Sequence, residues 1–144
     1  MIITNNKKIG HFLFKYRGQI PVPFIILGLY FFYNSKIDPI TDNHYILCFI
    51  ISLSGLIIRI FTVGFAFEKT SGKNTRGQVA ESLNTTGIYS LLRNPLYLAN
   101  YLNWLGVILL FSNIIVTITM TVFFFFYYYY IIIVEEDFLK KKFK

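Results

Sequence analysis

RNPLYLANYLNWLGVILLFSNIIVTITMTVFFFFYYYYIIIVEED, residues 93–137, is the stretch that decides the fold. It holds two apolar blocks, Leu96 to Ser112 and Ile114 to Val134, which meet at Phe111-Ser112-Asn113. At a rise of 1.5 Å per residue each block makes about 25 to 30 Å of helix, close to the thickness of a bilayer core. A break this short leaves room only for a tight turn, so the two helices form an antiparallel hairpin. Its polar ends, Arg93 at one side and Glu135-Glu136-Asp137 at the other, therefore reach the same membrane face.

Two further apolar blocks lie upstream, Ile20 to Tyr33 and Tyr45 to Phe67. The first carries Pro21 and Pro23, so its helix is predicted to begin at Pro23. Together the blocks predict an all-α integral membrane protein: about four transmembrane helices, a cytoplasmic loop and a C-terminal helical hairpin, in one domain over residues 1–144. Composition agrees. Of the chain, 55% is hydrophobic and only 15% charged, where a soluble domain carries about a quarter charged residues.

The basic residues orient the helices. Lys7, Lys8, Lys15 and Arg17 precede the first block. Lys69, Lys73, Arg76 and Arg93 lie between the second and third, and Lys140, Lys141, Lys142 and Lys144 follow the fourth. The loop between the first two blocks has Lys36 alone, beside Asp38 and Asp42. Short loops rich in Lys and Arg stay cytoplasmic, so both termini of this multi-pass chain are predicted to be cytoplasmic. The same distribution excludes a nucleic-acid partner despite the net charge of +7, because juxtamembrane cations are accounted for by orientation and anionic lipid. No small-residue cleavage site follows the first block, so no cleaved leader is expected. Cys48 stands alone, and His11 and His44 have no other ligand types around them, so neither a disulfide nor a metal site is expected.

Several polar residues need a reason. The loop from Glu68 to Asn94 is rich in Gly, Ser, Thr and Asn, and within it QVAESLN is predicted to form a short interfacial helix. Gly87 suits a turn or a close backbone approach. Asn94-Pro95 reads as a helix start, with a capping Asn and Pro at the first helical position. The free N–H groups and dipole of such an end attract carboxylate or phosphate, and Arg93 adds a planar cation able to make two hydrogen bonds. Taken singly, the helix start reads more readily as a capping Asn94 with Arg93 as a headgroup anchor, and the three acids as a solvated collar balanced by the lysines after them. The hairpin changes that balance by bringing an anion-seeking helix start and a carboxylate pair to one surface, as a zwitterionic, adenosine-bearing ligand would require. Arg59, inside the second block, either faces the bundle interior or snorkels. FFFFYYYY, Phe123 to Tyr130, reads as lipid-facing bulk with its tyrosines near the interface.

The order of Gly87-Ile88-Tyr89, Arg93-Asn94-Pro95-Leu96-Tyr97, a helical hairpin, then Glu135-Glu136 with Leu139 and Phe143 resembles a known group. It is that of the isoprenylcysteine carboxyl methyltransferases and phospholipid methyltransferases. Their pattern is Gly-x-Tyr, Arg-His-Pro-x-Tyr, and a hairpin ending in Glu-Glu-x-x-Leu-x-x-x-Phe, and the likeness covers residues 74–143. The resemblance implies an S-adenosylmethionine-dependent methyltransferase acting on a membrane lipid or lipid-modified substrate, with S-adenosyl-L-methionine bound at the cytoplasmic face. It implies cofactor contacts at Glu81, Ser82, Leu83, Asn84, Tyr89, Asn94, Pro95, Leu96, Tyr97 and Glu135, with Glu136, Asn74 and Gln78 as weaker ones and Arg93 for the anion or substrate. No catalytic base is assigned, which favours an acceptor already nucleophilic at neutral pH. Asn94 stands where the group usually has His. Ile131 stands where prenylcysteine enzymes carry a substrate-binding Arg, which argues against a prenylcysteine acceptor. The group's pattern continues beyond Phe143, so the resemblance also implies a truncated C-terminus. The competing readings are a non-enzymatic membrane scaffold and a degenerate relative that binds cofactor without transferring a methyl group.

Overall fold

The computed structural model describes residues 2–16, 21–34, 41–66 and 80–143. Among them every regular element is a helix: α1 (Ile2–Lys15), α2 (Pro21–Asn34), α3 (Asp42–Phe65), a 3-10 turn (Gly87–Ser90), α4 (Pro95–Leu109) and α5 (Ile114–Lys142). α3 and α5, at 24 and 29 residues, are long and apolar enough to cross a membrane. α2 and α4 are apolar but shorter, with 14 and 15 residues.

The hairpin forms as read. α4 ends at Leu109, Ser112 takes a left-handed conformation (φ 47°), and α5 starts at Ile114. Asn113 makes that start: its side-chain oxygen accepts from the backbone N–H of Ile115 at 3.0 Å and of Val116 at 3.2 Å. Two orphan donors of the first turn are thereby satisfied. Tyr101 then packs on Phe124 and Phe125, with ring centroids 5.3 and 5.0 Å apart.

α3 lies antiparallel to α4 along a seam of small residues. In lipid there is little hydrophobic drive to join helices, so close backbone approach supplies the contact. Gly55 shows how close: a Cβ there would sit 2.7 Å from both the Ala99 carbonyl oxygen and the Asn103 amide nitrogen. Ser52 donates to the Asn103 carbonyl at 3.1 Å, and Ala99 is fully buried. At the far end of the seam the His44 Nε2 lies 2.8 Å from the Leu109 carbonyl and 3.2 Å from the Ser112 hydroxyl, a tie between helix ends.

Two expectations are corrected and one element is new: the segment before the first apolar block is a packed helix, α1. Its Phe14 joins Tyr127, Tyr128 and Ile131 in the core, and Tyr127 donates to the Leu13 carbonyl at 3.4 Å. FFFFYYYY is consequently not all lipid-facing. Phe125, Phe126 and Tyr129 are exposed, whereas Tyr127 and Tyr128 are buried. Eight residues at about 100° each go round a helix more than twice, so some had to meet α1 and α4. Finally, α2 begins at Pro21, not Pro23. Both prolines fall in the first turn, where the missing N–H would have had no intrahelical partner. Farther along α2, Phe32 stacks edge-on to Phe111 of the α4–α5 turn at 6.1 Å.

Candidate functional site

The site assembles where α4 begins and α5 leaves the apolar zone. The chain enters it through Ala80, which is buried, and an irregular segment running to Thr86. QVAESLN therefore does not make the interfacial helix. Its described part, residues 80–84, is non-helical, and Gln78 and Val79 lie outside the described residues, as does Asn74. Seven residues are too few to repay helix nucleation without tertiary support. Glu81 and Leu83 are exposed on this segment, with Ser82 and Asn84 half-buried.

Gly87 does make the turn. Its φ of +61° is a region that L side chains avoid, and a Cβ there would lie 3.3 Å from the Phe65 ring at the end of α3. The 3-10 turn that follows is held by Ser90, whose hydroxyl donates to the Gly87 carbonyl at 2.7 Å. It presents Tyr89, half-buried, with its hydroxyl hydrogen-bonded to the Asn84 side chain and in the field of Glu135. Burial first, and the Glu135 charge in addition, push the Tyr89 phenol above its ordinary range, against the opposing effect of Asn84. Tyr89 thus stays a neutral hydrogen-bonding group throughout physiological pH.

α4 starts at Pro95, as its sequence predicts, and Pro95 is fully buried. Asn94 occupies the capping position but does not cap: its side chain bonds no first-turn N–H. Its backbone carbonyl takes the helical bonds instead, from Tyr97 and Leu98 at 3.2 and 3.4 Å. The φ and ψ of −133° and 62° turn the side chain away from the extended geometry a capping Asn uses. Leu96 is half-buried beside it.

The carboxylate pair divides its work. α5 continues as one helix through Lys142, so Glu135 and Glu136 are interior helical residues pointing about 100° apart. The Tyr97 hydroxyl, from the first turn of α4, donates to Glu135 Oε2. Arg93, which the hairpin brings to the same face as the carboxylate pair, pairs with Glu136, Nη2 to Oε2 at 3.0 Å. Lys140 lies 3.8 Å from the same oxygen, and Lys141 pairs with Asp137 at 3.0 Å. The Arg93 side chain is 71% exposed, against 27% for Glu136, so this ion pair sits at the rim. Tyr97, Glu135, Tyr89 and Asn84 form the inner group, and Arg93 with Glu136 the outer one.

Behind the inner group Asn100, which the sequence reading passed over, joins Arg59 and Tyr128. The Tyr97 ring packs on Tyr128 at 4.8 Å. The Tyr128 hydroxyl accepts from Asn100 Nδ2 at 3.2 Å, and Asn100 Oδ1 accepts from Arg59 Nη1 at 2.9 Å. Asn100 carried a usable signal: an amide inside an apolar helix, three residues after Tyr97 and so on the same face. His11 is exposed, Cys48 is buried beside the seam, and no metal-ligating cluster occurs among the described residues.

The sequence profile of the phospholipid methyltransferase family matches residues 43–144. No curated protein and no solved structure matches the chain.

Proposed function

The chain belongs to the phospholipid methyltransferase family, and on that premise we propose that it transfers a methyl group from S-adenosylmethionine to a lipid or lipid-modified acceptor at the cytoplasmic membrane face. The observation that carries the reading is the Tyr97–Glu135 hydrogen bond, formed where the first turn of α4 meets the last apolar turn of α5.

The residues present fit the cofactor. Glu135 offers a carboxylate, which suits an ammonium or a ribose diol, and Tyr97 orients it. Tyr89 and Asn84 add a neutral phenol and an amide on the loop side, with Glu81, Ser82 and Leu83 continuing that wall. The first-turn N–H of Leu96, just after Pro95, favours a carboxylate, and Arg93 stands at the rim for the same anion or a headgroup. Glu136 serves mainly to hold Arg93 in place.

When bound, the cofactor supplies a sulfonium-activated methyl group that moves by in-line displacement. The chain's contribution is orientation, since fixing donor and acceptor in line removes much of the entropic barrier. The inner group holds the donor, and the apolar flanks of α4 and α5 keep water from the acceptor. A carboxylate acceptor needs no base, whereas an amine must be unprotonated and a hydroxyl must lose its proton.

The membrane arrangement belongs to the same proposal: four crossings, with both termini cytoplasmic. It rests on the twelve basic residues of the two tails and the loop of residues 68–94, against Lys36 alone on the other side. Cysteine-accessibility labelling at Ser35 and Ser71 in a Cys48→Ala background should mark opposite faces. Both positions lie outside the described residues. Labelling of both from outside would refute the orientation.

The decisive experiment is equilibrium binding of S-adenosylmethionine, and of its demethylated product, to the detergent-purified chain, followed by transfer of a labelled methyl group to added phospholipid. Saturable binding with transfer supports the enzyme. Binding without transfer would mark a degenerate relative, and no saturable binding would leave a membrane scaffold.

A further inference from the structure

We propose that Arg59 is the binding residue for the phosphodiester of the acceptor lipid, holding it one layer below the Tyr97–Glu135 pair. This rests on the methyltransferase reading for the word acceptor, but the phosphate site itself stands on separate observations.

The first observation is depth. Arg59 lies six residues before the end of α3 at Phe65, Asn100 five residues into α4, and Tyr128 seven residues before Glu135. At helical rise these place all three about 8 to 10 Å inside the polar mouth. The second is surroundings. Arg59 is exposed, and so are Leu56, Ile60, Phe61 and Val63 around it on α3, so its guanidinium emerges among lipid-facing side chains. A cation there is costly without a partner. Among the described residues no carboxylate pairs with it. Asn100 Oδ1 takes one hydrogen bond from Nη1, and among the described residues the rest of this exposed five-donor fork makes no other hydrogen bond. The anion the bilayer supplies is a lipid phosphodiester, whose geometry that planar fork matches.

The third observation is connection. Asn100 does not merely neutralise a donor. Its amide is tied at the other end to the buried Tyr128, whose ring lies against Tyr97, the residue that holds Glu135. The guanidinium is thus fixed relative to the inner group by a continuous chain of hydrogen bonds and ring contact. A phosphodiester seated on it leaves the rest of the headgroup directed up the α3–α4 side toward the mouth. A lipid lacking the phosphate would have the same acyl chains but no fixed height.

Trp104, the sole tryptophan, lies four residues beyond Asn100 on the same face of α4 and reports on occupancy. The full chain in phosphate-free maltoside micelles is titrated with phosphatidylethanolamine brominated on its acyl chains, or with equally brominated galactosyl-diacylglycerol. Phosphatidylethanolamine should quench Trp104 saturably, and the galactolipid should not. Arg59→Gln should weaken the phospholipid response about ten- to a hundred-fold, the loss of charged hydrogen bonds, with S-adenosylmethionine binding unchanged. Arg59→Lys, which keeps the charge and perturbs folding least, should fall between. In turnover, Arg59→Gln should raise KM for lipid and leave KM for S-adenosylmethionine alone. Equal quenching by both lipids, an undiminished response in Arg59→Gln and Arg59→Lys, or relief of quenching by inorganic phosphate would each overturn the proposal, the last by assigning a soluble anion. A chain that binds no S-adenosylmethionine yet keeps the Arg59-dependent phospholipid response would instead refute the methyltransferase reading and leave the phosphate site standing.

Discussion

Replacing Glu135 by Gln should weaken S-adenosylmethionine binding far more than replacing its neighbour Glu136, although both changes remove one negative charge from the same turn. Glu135 accepts the Tyr97 hydroxyl inside the half-buried inner group, so the charge it would offer a ligand is partly shielded from water. A hydrogen bond involving such a charge contributes about 1.5 to 3 kcal/mol, or roughly ten- to 150-fold in affinity. Glu136 is engaged by Arg93, whose side chain is 71% exposed, and by Lys140 at 3.8 Å. Exposed ion pairs of this kind contribute about 0.2 to 1 kcal/mol, so Glu136→Gln should cost less than about five-fold. Tyr97→Phe keeps the ring packed on Tyr128 and deletes only the hydroxyl, leaving Glu135 less well aimed. If the pair acts as a unit, Tyr97→Phe combined with Glu135→Gln should cost clearly less than the sum of the single changes. Isothermal titration of detergent-purified variants of matched helicity reads all four proteins of this cycle. Equal, small losses at Glu135 and Glu136 would refute the reasoning and return the acids to a solvated collar.

Arg93→Lys keeps the rim charge but loses the fork, so it should weaken binding of cofactor or headgroup with net charge unchanged. Normal binding in Arg93→Lys, with only lower expression of Arg93→Ala, would make Arg93 a membrane anchor. Asn113→Ala should destabilise the hairpin by about 0.5 to 2 kcal/mol, because its side chain caps α5, while Asn94→Ala should cost little, because its side chain caps nothing. Thermal unfolding in detergent compares the two, and the reverse order would contradict the cap assignment. Gly55→Ala puts a methyl 2.7 Å from the α4 backbone and should destabilise the fold by about 1 to 3 kcal/mol. Because α4 must then move away, the Arg59–Asn100 bond one turn along should lengthen as well, and an unaltered phospholipid response in Gly55→Ala would argue against that coupling.

The sequence by itself determined the helices that matter. Block length, the three-residue break at Phe111-Ser112-Asn113, and Pro at the first position of α4 are local signals, and local chemistry sets where helices start and stop. The hairpin then brings Arg93 and the Glu135-Glu136 pair to one face whatever else surrounds them. Tertiary structure decided how each helix is rotated about its own axis. That rotation follows from which small residues meet along the seam, Gly55 against Ala99 and Asn103, and from α1 docking on α5. An apolar, aromatic helix such as α5 has no polar face to announce its orientation, so Tyr127 and Tyr128 read as lipid-facing until α1 and α4 were seen to cover them. The same rotation hands Glu135 to Tyr97 and Glu136 to Arg93, residues one position apart and about 100° round the helix. It also turns Arg59, Asn100 and Tyr128, from three helices, into one hydrogen-bonded layer. Such a layer depends on distances between residues 28 and 41 positions apart, which no local pattern encodes.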